Sequence, residues 1–182
     1  KNERQNVIRT LMEMDCIPAG IELFPAADEE QLDFIKSIID DCDYYLIIVG
    51  GRYGSTMPDG ISYTEKEYDY AVDQDLKIIA LLHESPDDIP VGKSETDPHL
   101  RERLKDFKVK LSENRLVKFW NRAEDLPGIV ALSLSKTIKM HPAVGWVRGN
   151  TVANADLLGE INDSRKENAA LRARISELEV AL

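Results

Sequence analysis

The chain has 182 residues, 43% of them hydrophobic and 31% charged, which fits one globular domain with an appendage. A formal net charge of −10 repels polyanions, and acidic residues interleave with Lys105, Lys108, Lys110 and Arg115, so nucleic acid is not an expected partner. No apolar run reaches bilayer-spanning length and nothing resembles a signal peptide, so no membrane partner is expected either.

Two cysteines, Cys16 and Cys42, are too few for a disulfide framework, and the setting expected for them is reducing and cytoplasmic. His83, His99 and His141 are scattered, so no metal site is read. The start at Lys1-Asn2-Glu3-Arg4, without Met and inside a helical pattern, predicts that the chain is a piece of a longer protein.

From Glu3 to Met14, Val7, Ile8, Leu11 and Met12 recur at helical spacing. Ile17 to Phe24 reads as a strand. Asp28 is the expected N-cap of an amphipathic helix carrying Leu32, Ile35, Ile38 and Ile39 on one face. Tyr44 to Val49 is a continuous apolar run ending in Gly50-Gly51, as expected of a strand buried on both faces of a parallel sheet. A polar loop to Gly60 follows. Ser62 and Glu65 have capping-box spacing, so the next helix should begin near Tyr63 and run to about Gln74. Lys77 to His83 reads as a strand and Pro98 to Ser112 as a helix. Leu116 to Trp120 reads as a strand, and Glu124 to Met140 as a last helix with Pro127 near its first turn.

Helix and strand alternating at this spacing predict a doubly wound α/β domain over 1–141, flavodoxin-like, with a parallel sheet flanked by helices. The four strands would be the second to fifth of five, the first lying upstream of Lys1. A linker is expected over 142–155 and a coiled-coil helix over 156–182. There, Ile161, Asn168, Ile175 and Leu182 take heptad position a, and Leu157, Ser164, Leu171 and Leu178 take position d. In a parallel dimer the g–e pairs would be Glu160 with Arg165, Glu167 with Arg172 and Arg174 with Glu179, all opposite in sign. A parallel homodimer is therefore expected, with Leu157, Ile161, Asn168, Leu171, Ile175 and Leu178 in its seam.

In open parallel sheets, ligands bind beyond the carboxyl ends of the strands. The loop Gly50-Gly51-Arg52-Tyr53-Gly54-Ser55 leaves one such end. Its glycines permit close backbone approach, Arg52 could pair with a phosphate, and Tyr53 offers a stacking face. Gly51, Arg52, Tyr53, Ser55 and Tyr63 are the candidate ligand-binding residues. The helix beginning near Tyr63 points its N-terminus at the same edge. Glu65 is explained as the capping partner of Ser62. Glu67 has no such explanation, and a carboxylate there could stabilise an oxocarbenium-like transition state at a ribosyl carbon. The plainer reading of Glu67 is a solvated helix residue.

The stretches Ile21-Glu22-Leu23-Phe24-Pro25-Ala26, Ile39-Asp40-Asp41-Cys42-Asp43-Tyr44, Gly50-Gly51-Arg52-Tyr53-Gly54-Ser55 and Ser62-Tyr63-Thr64-Glu65-Lys66-Glu67-Tyr68 together resemble the domain of unknown function 4062 family. The resemblance is close from Lys1 to His83 and looser to Met140. Members start with a strand ending in Ser-Ser-Thr-Tyr, then Asp-Leu and a Glu-Arg pair, of which only Glu3-Arg4 matches here. The family occurs at the N-termini of signalling and bacterial defence proteins and is similar in fold to TIR domains and nucleoside deoxyribosyltransferases. In those relatives a helix glutamate four residues before a small residue carries N-glycosidic bond cleavage, a spacing that Glu67 and Ala71 fit. The resemblance thus implies a possible NAD or nucleotide N-glycosidase regulated by self-association, with Glu67 catalytic and no cofactor beyond NAD or a nucleotide as substrate. The alternative is a non-catalytic sensor or adaptor that dimerises through its coil.

Overall fold

The computed structural model describes residues 2–20, 31–85, 88–113, 115–147, 159–172 and 174. The chain divides into two compact units, Lys1–Ala143 and Val144–Leu182.

In the first unit the elements run α1 (Asn2–Glu13), α2 (Gln31–Asp40), β1 (Tyr44–Val49), α3 (Tyr63–Asp73), β2 (Lys77–His83), a 3-10 turn at Val91–Lys93, α4 (Pro98–Ser112), β3 (Lys118–Trp120) and α5 (Leu126–Met140). The strands pair in the order β1-β2-β3, all parallel. Side chains alternate across the sheet and divide the core in two. Ile47, Val49, Ala80 and Leu82 face α3 and α4, meeting Tyr68, Leu104, Phe107 and Leu111. Ile79 and Leu81 face α1 and α5, meeting Val7, Leu126, Val130 and Leu134. α2 packs Ile35 and Ile39 on Ala71 of α3. This is the α/β architecture expected, a parallel sheet covered by helices on both faces.

Local chemistry sets the element ends. Asp97 caps α4 by accepting from the backbone N–H groups of His99 at 2.7 Å and Leu100 at 3.2 Å, and Pro98 occupies the first turn, where no N–H is needed. β3 is shorter than Leu116–Trp120 because its ladder begins opposite Leu81, with Lys118, leaving Leu116 exposed. α5 begins at Leu126 rather than Glu124 because Asp125 folds back, accepting from Arg122 N–H at 3.0 Å, and closes a turn there.

The strand expected over Ile17–Phe24 is corrected where it is described: residues 16–20 carry no regular structure. Its remainder, and the Asp28 cap, lie outside the described residues, so the described sheet has three strands. In the second unit a helix spans 159–172. Ile161 and Leu171 of the heptad stripe are exposed in the single chain, and the Asn168 side chain donates to the Ser164 carbonyl at 3.1 Å. Leu157, Ile175, Leu178 and Leu182 lie outside the described residues.

Candidate functional site

The Gly50–Ser55 loop leaves the carboxyl end of β1, and the segment 88–95, arriving from β2, lies across it. Gly51 forms a parallel β-bridge with Ser94, and its carbonyl accepts from Glu95 N–H at 2.6 Å. A Cβ at Gly51 would stand 2.8 Å from the Lys93 carbonyl oxygen and 3.1 Å from Ile89, so this segment occupies the close approach that the glycine allows. Arg52 donates to the Gly92 carbonyl. Lys93 reaches Glu3 on α1 at 2.6 Å, and that hydrogen bond holds the Glu3 carboxyl down to about 2.

Tyr53 does not present a stacking face. Its ring is 2% exposed and meets Phe107 edge to face, with centroids 6.4 Å apart. Tyr53 N–H points to Glu95 Oε2 at 3.4 Å, and the phenol donates to Glu65 Oε2 at 2.6 Å. Burial first, and then this bond to a carboxylate, raise the phenol above its ordinary pKa. Gly54 takes a φ of +100°, the left-handed region that glycine enters without strain. Ser55 is exposed and gives its carbonyl to Tyr63 N–H at 3.0 Å, while the Tyr63 ring packs with the α2–α3 core.

Glu65 fills half of the expected capping box. Ser62 Oγ accepts from Glu65 N–H at 3.2 Å, but the carboxylate turns inward instead of back to the cap. Besides Tyr53 it meets Lys110, whose Nζ lies 2.9 Å from Glu65 Oε1 and 2.6 Å from Asp69 Oδ1. Burial works against the charge of Lys110, and its bonds to Asp69 and Glu65 outweigh that, raising its pKa. This ion cluster fastens α3 to α4. Beside it opens a cleft of about 530 Å³ lined by Tyr68, Asp69, Val72, Lys110, Glu113 and Arg115, among others. Its walls come from the last turns of α3 and α4, which place it at the amino ends of the strands, opposite the edge where such sheets bind ligands.

Glu67 is half-buried and turned toward the sheet. The Tyr45 hydroxyl of β1 donates to its Oε2 at 3.5 Å, a long bond. Burial raises the Tyr45 phenol far above its ordinary pKa; the Glu67 charge and hydrogen bond add to this, and the Arg4 charge opposes it. The structure thus associates Glu67 with Tyr45, while Gly51, Arg52 and Tyr53 are engaged by residues 88–95 and by Glu65. Tyr45 escaped the sequence reading because it sits in an apolar run. Its signal was a polar tip at a position alternating with core residues.

Among the described residues no group of three or more His, Cys, Asp or Glu is placed to hold a metal, and no helix is long and apolar enough to cross a membrane. Comparison with curated proteins and with solved structures returned no match. A family model matches residues 1–135, which include the β1 loop, α3 and Glu67, and the chain belongs to that family, described as Domain of unknown function (DUF4062).

Proposed function

We propose that this domain is an N-glycosidase acting on NAD or a related nucleotide, a TIR-like signalling or defence module whose self-association through the C-terminal helix governs its activity. The observation that carries this reading is the pairing of Glu67 with Tyr45. A helix glutamate with no role beyond solubility would extend into water, whereas Glu67 is half-buried and held against the sheet. A carboxylate fixed in this way can face a ribosyl carbon as positive charge develops there. When nicotinamide leaves NAD, the C1′–N bond breaks with both electrons going to the pyridinium nitrogen, and the base departs neutral. No proton donor to the leaving group is needed, so one ionised carboxylate suffices. Water then bonds to C1′ and gives up a proton.

The test is to incubate the protein with NAD and with nucleosides and measure released base. Release should fall by about 10²–10⁴-fold in Glu67→Gln, the range for a positioned acid or base. No release from the assembled protein, or equal release from Glu67→Gln, overturns the reading. A second reading is a non-catalytic sensor or adaptor reporting through the C-terminal helix. It is favoured by the way Gly51, Arg52 and Tyr53 serve the fold itself. It predicts nucleotide binding without release.

A further inference from the structure

At the carboxyl end of the sheet, His83 and Trp120 close β2 and β3 and are register partners, and Gly50 follows the last residue of β1. Both aromatic side chains are more than nine-tenths buried, at 8% and 7% exposure. Alternation along β2 puts His83 on the same face as Ile79 and Leu81, where Trp120 packs with Val7 and Leu126. The two rings meet edge to face, with centroids 4.6 Å apart. His83 Nε2 lies 3.0 Å from the Asn121 carbonyl oxygen. A carbonyl only accepts, so Nε2 carries the proton, and in that tautomer Nδ1 presents a lone pair.

Neither His83 Nδ1 nor Trp120 Nε1 has a hydrogen-bond partner among the described residues. Buried polar atoms are nearly always satisfied, and here two are left over on residues that are register partners with their rings in contact. Gly50 is half-buried, and among the described residues a Cβ added to it would meet Trp120 Cζ2 alone, at 4.0 Å, two bonds away from Nε1. The missing side chain at Gly50 therefore leaves that edge of the indole uncovered by β1, at the end of the sheet where open α/β folds take ligands.

We infer that Gly50, His83 and Trp120 form a subsite for a planar group bearing a hydrogen-bond acceptor and donor side by side, as a primary carboxamide or an aminopurine edge does. The acceptor takes the Trp120 indole N–H, and the donor goes to His83 Nδ1. A carboxylate is rejected because it brings two acceptors and a charge to a buried lone pair. The subsite does not depend on catalysis at Glu67. The nucleotide reading only guides the choice of probes.

The full chain has two tryptophans, Trp120 and Trp146, so Trp146→Phe assigns the Trp120 indole N–H resonance in a 15N-labelled sample. Nicotinamide and adenosine are titrated in separate arms, with nicotinate as the control. The Trp120 resonance should shift saturably with nicotinamide or adenosine, and the arm that responds identifies the source of the edge. Nicotinate should bind at least about tenfold more weakly, and His83→Phe should weaken the responding probe by about tenfold, the loss of one hydrogen bond. No Trp120 shift with either probe up to about 10 mM, or equal affinity for nicotinate, overturns the proposal, and is the result expected if a trapped water alone satisfies both atoms. Should His83→Phe fail to fold, the nicotinamide, adenosine and nicotinate titrations of the wild-type chain decide the matter. A Trp120 shift without base release removes the glycosidase reading and leaves the subsite standing. Release without a shift does the reverse.

Discussion

Gly51→Ala separates two explanations of the glycine-rich loop, close approach of a ligand and close approach of the chain itself. The added Cβ would stand 2.8 Å from the Lys93 carbonyl oxygen and 3.1 Å from both Ile89 Cδ1 and Cγ2. Ile89 can change rotamer, but a backbone oxygen cannot move without its segment. Relief therefore strains the Gly51–Ser94 bridge and the 2.6 Å bond from Glu95 N–H to the Gly51 carbonyl. Overpacking of this kind costs about 1–3 kcal/mol. Each kcal/mol shifts Tm by roughly 2–4 °C in a chain of this size, so the melt should fall by a few to about ten degrees. If the segment opens locally instead, hydrogen exchange at Glu95 N–H should accelerate while the global melt moves less. Gly92 sits in the same segment with nothing among the described residues within 4 Å of its would-be Cβ, so Gly92→Ala should stay within about 0.5 kcal/mol of wild type. A Gly51→Ala protein that melts with the wild type and protects Glu95 N–H equally would refute the packing account.

Lys93→Met should remove a pH-dependent increment of stability. The Glu3 carboxyl is lowered from 4.5 to about 2, chiefly by the Lys93 hydrogen bond, so its contribution is present above about 4.5 and lost as pH falls toward 2. With Lys93 60% exposed, the increment should be about 1 kcal/mol or less, and a wild-type-minus-variant difference in urea unfolding that is constant from pH 7 to 2 would contradict it. If the C-terminal helix forms the proposed parallel dimer, the chain should sediment as a dimer, and Asn168→Ile should tighten association while blurring its register; a monomer at high concentration would sink this proposal.

Much of the fold was legible because period and punctuation agreed. β1 and β2 stand where continuous apolar runs placed them, and α4 spans the expected Pro98–Ser112. The ends of β3 and α5 were less legible, because tertiary pairing set them: β3 starts where β2 still offers a partner, and a side chain bonded back to Arg122 delays α5. The candidate site was read least well. Tyr53 and Glu65 carry polar atoms that suggest chemistry in one dimension, but they bond to each other, and Lys110, which takes the other oxygen of Glu65, and Phe107, which covers the Tyr53 ring, come from a helix more than 30 residues further on. Sequence spacing reports what a residue can do locally and says little about which distant residue has already engaged it. The capping box is half made for that reason: Ser62 accepts from Glu65 N–H as expected, while a buried phenol and an ammonium take the Glu65 carboxylate away from the cap's N–H.

Arg4 lies on α1, whose Val7 shares a core with Leu81 and Trp120, while Tyr45 packs on the other face with α3. The Arg4 charge nevertheless acts on the Tyr45 phenol. The outer edge of β1 has no neighbour among the described residues. The Tyr45 phenol and the Glu67 carboxylate meet beside this strand, and under the glycosidase proposal this is where a nucleotide would bring its ribose. Arg52 is engaged elsewhere, its guanidinium held on the Gly92 carbonyl and the 88–95 segment lying over its loop. The glycine-rich loop is thus consumed by the fold itself, and the glycosidase proposal rests on the flank of β1, where Glu67 is half-buried against Tyr45.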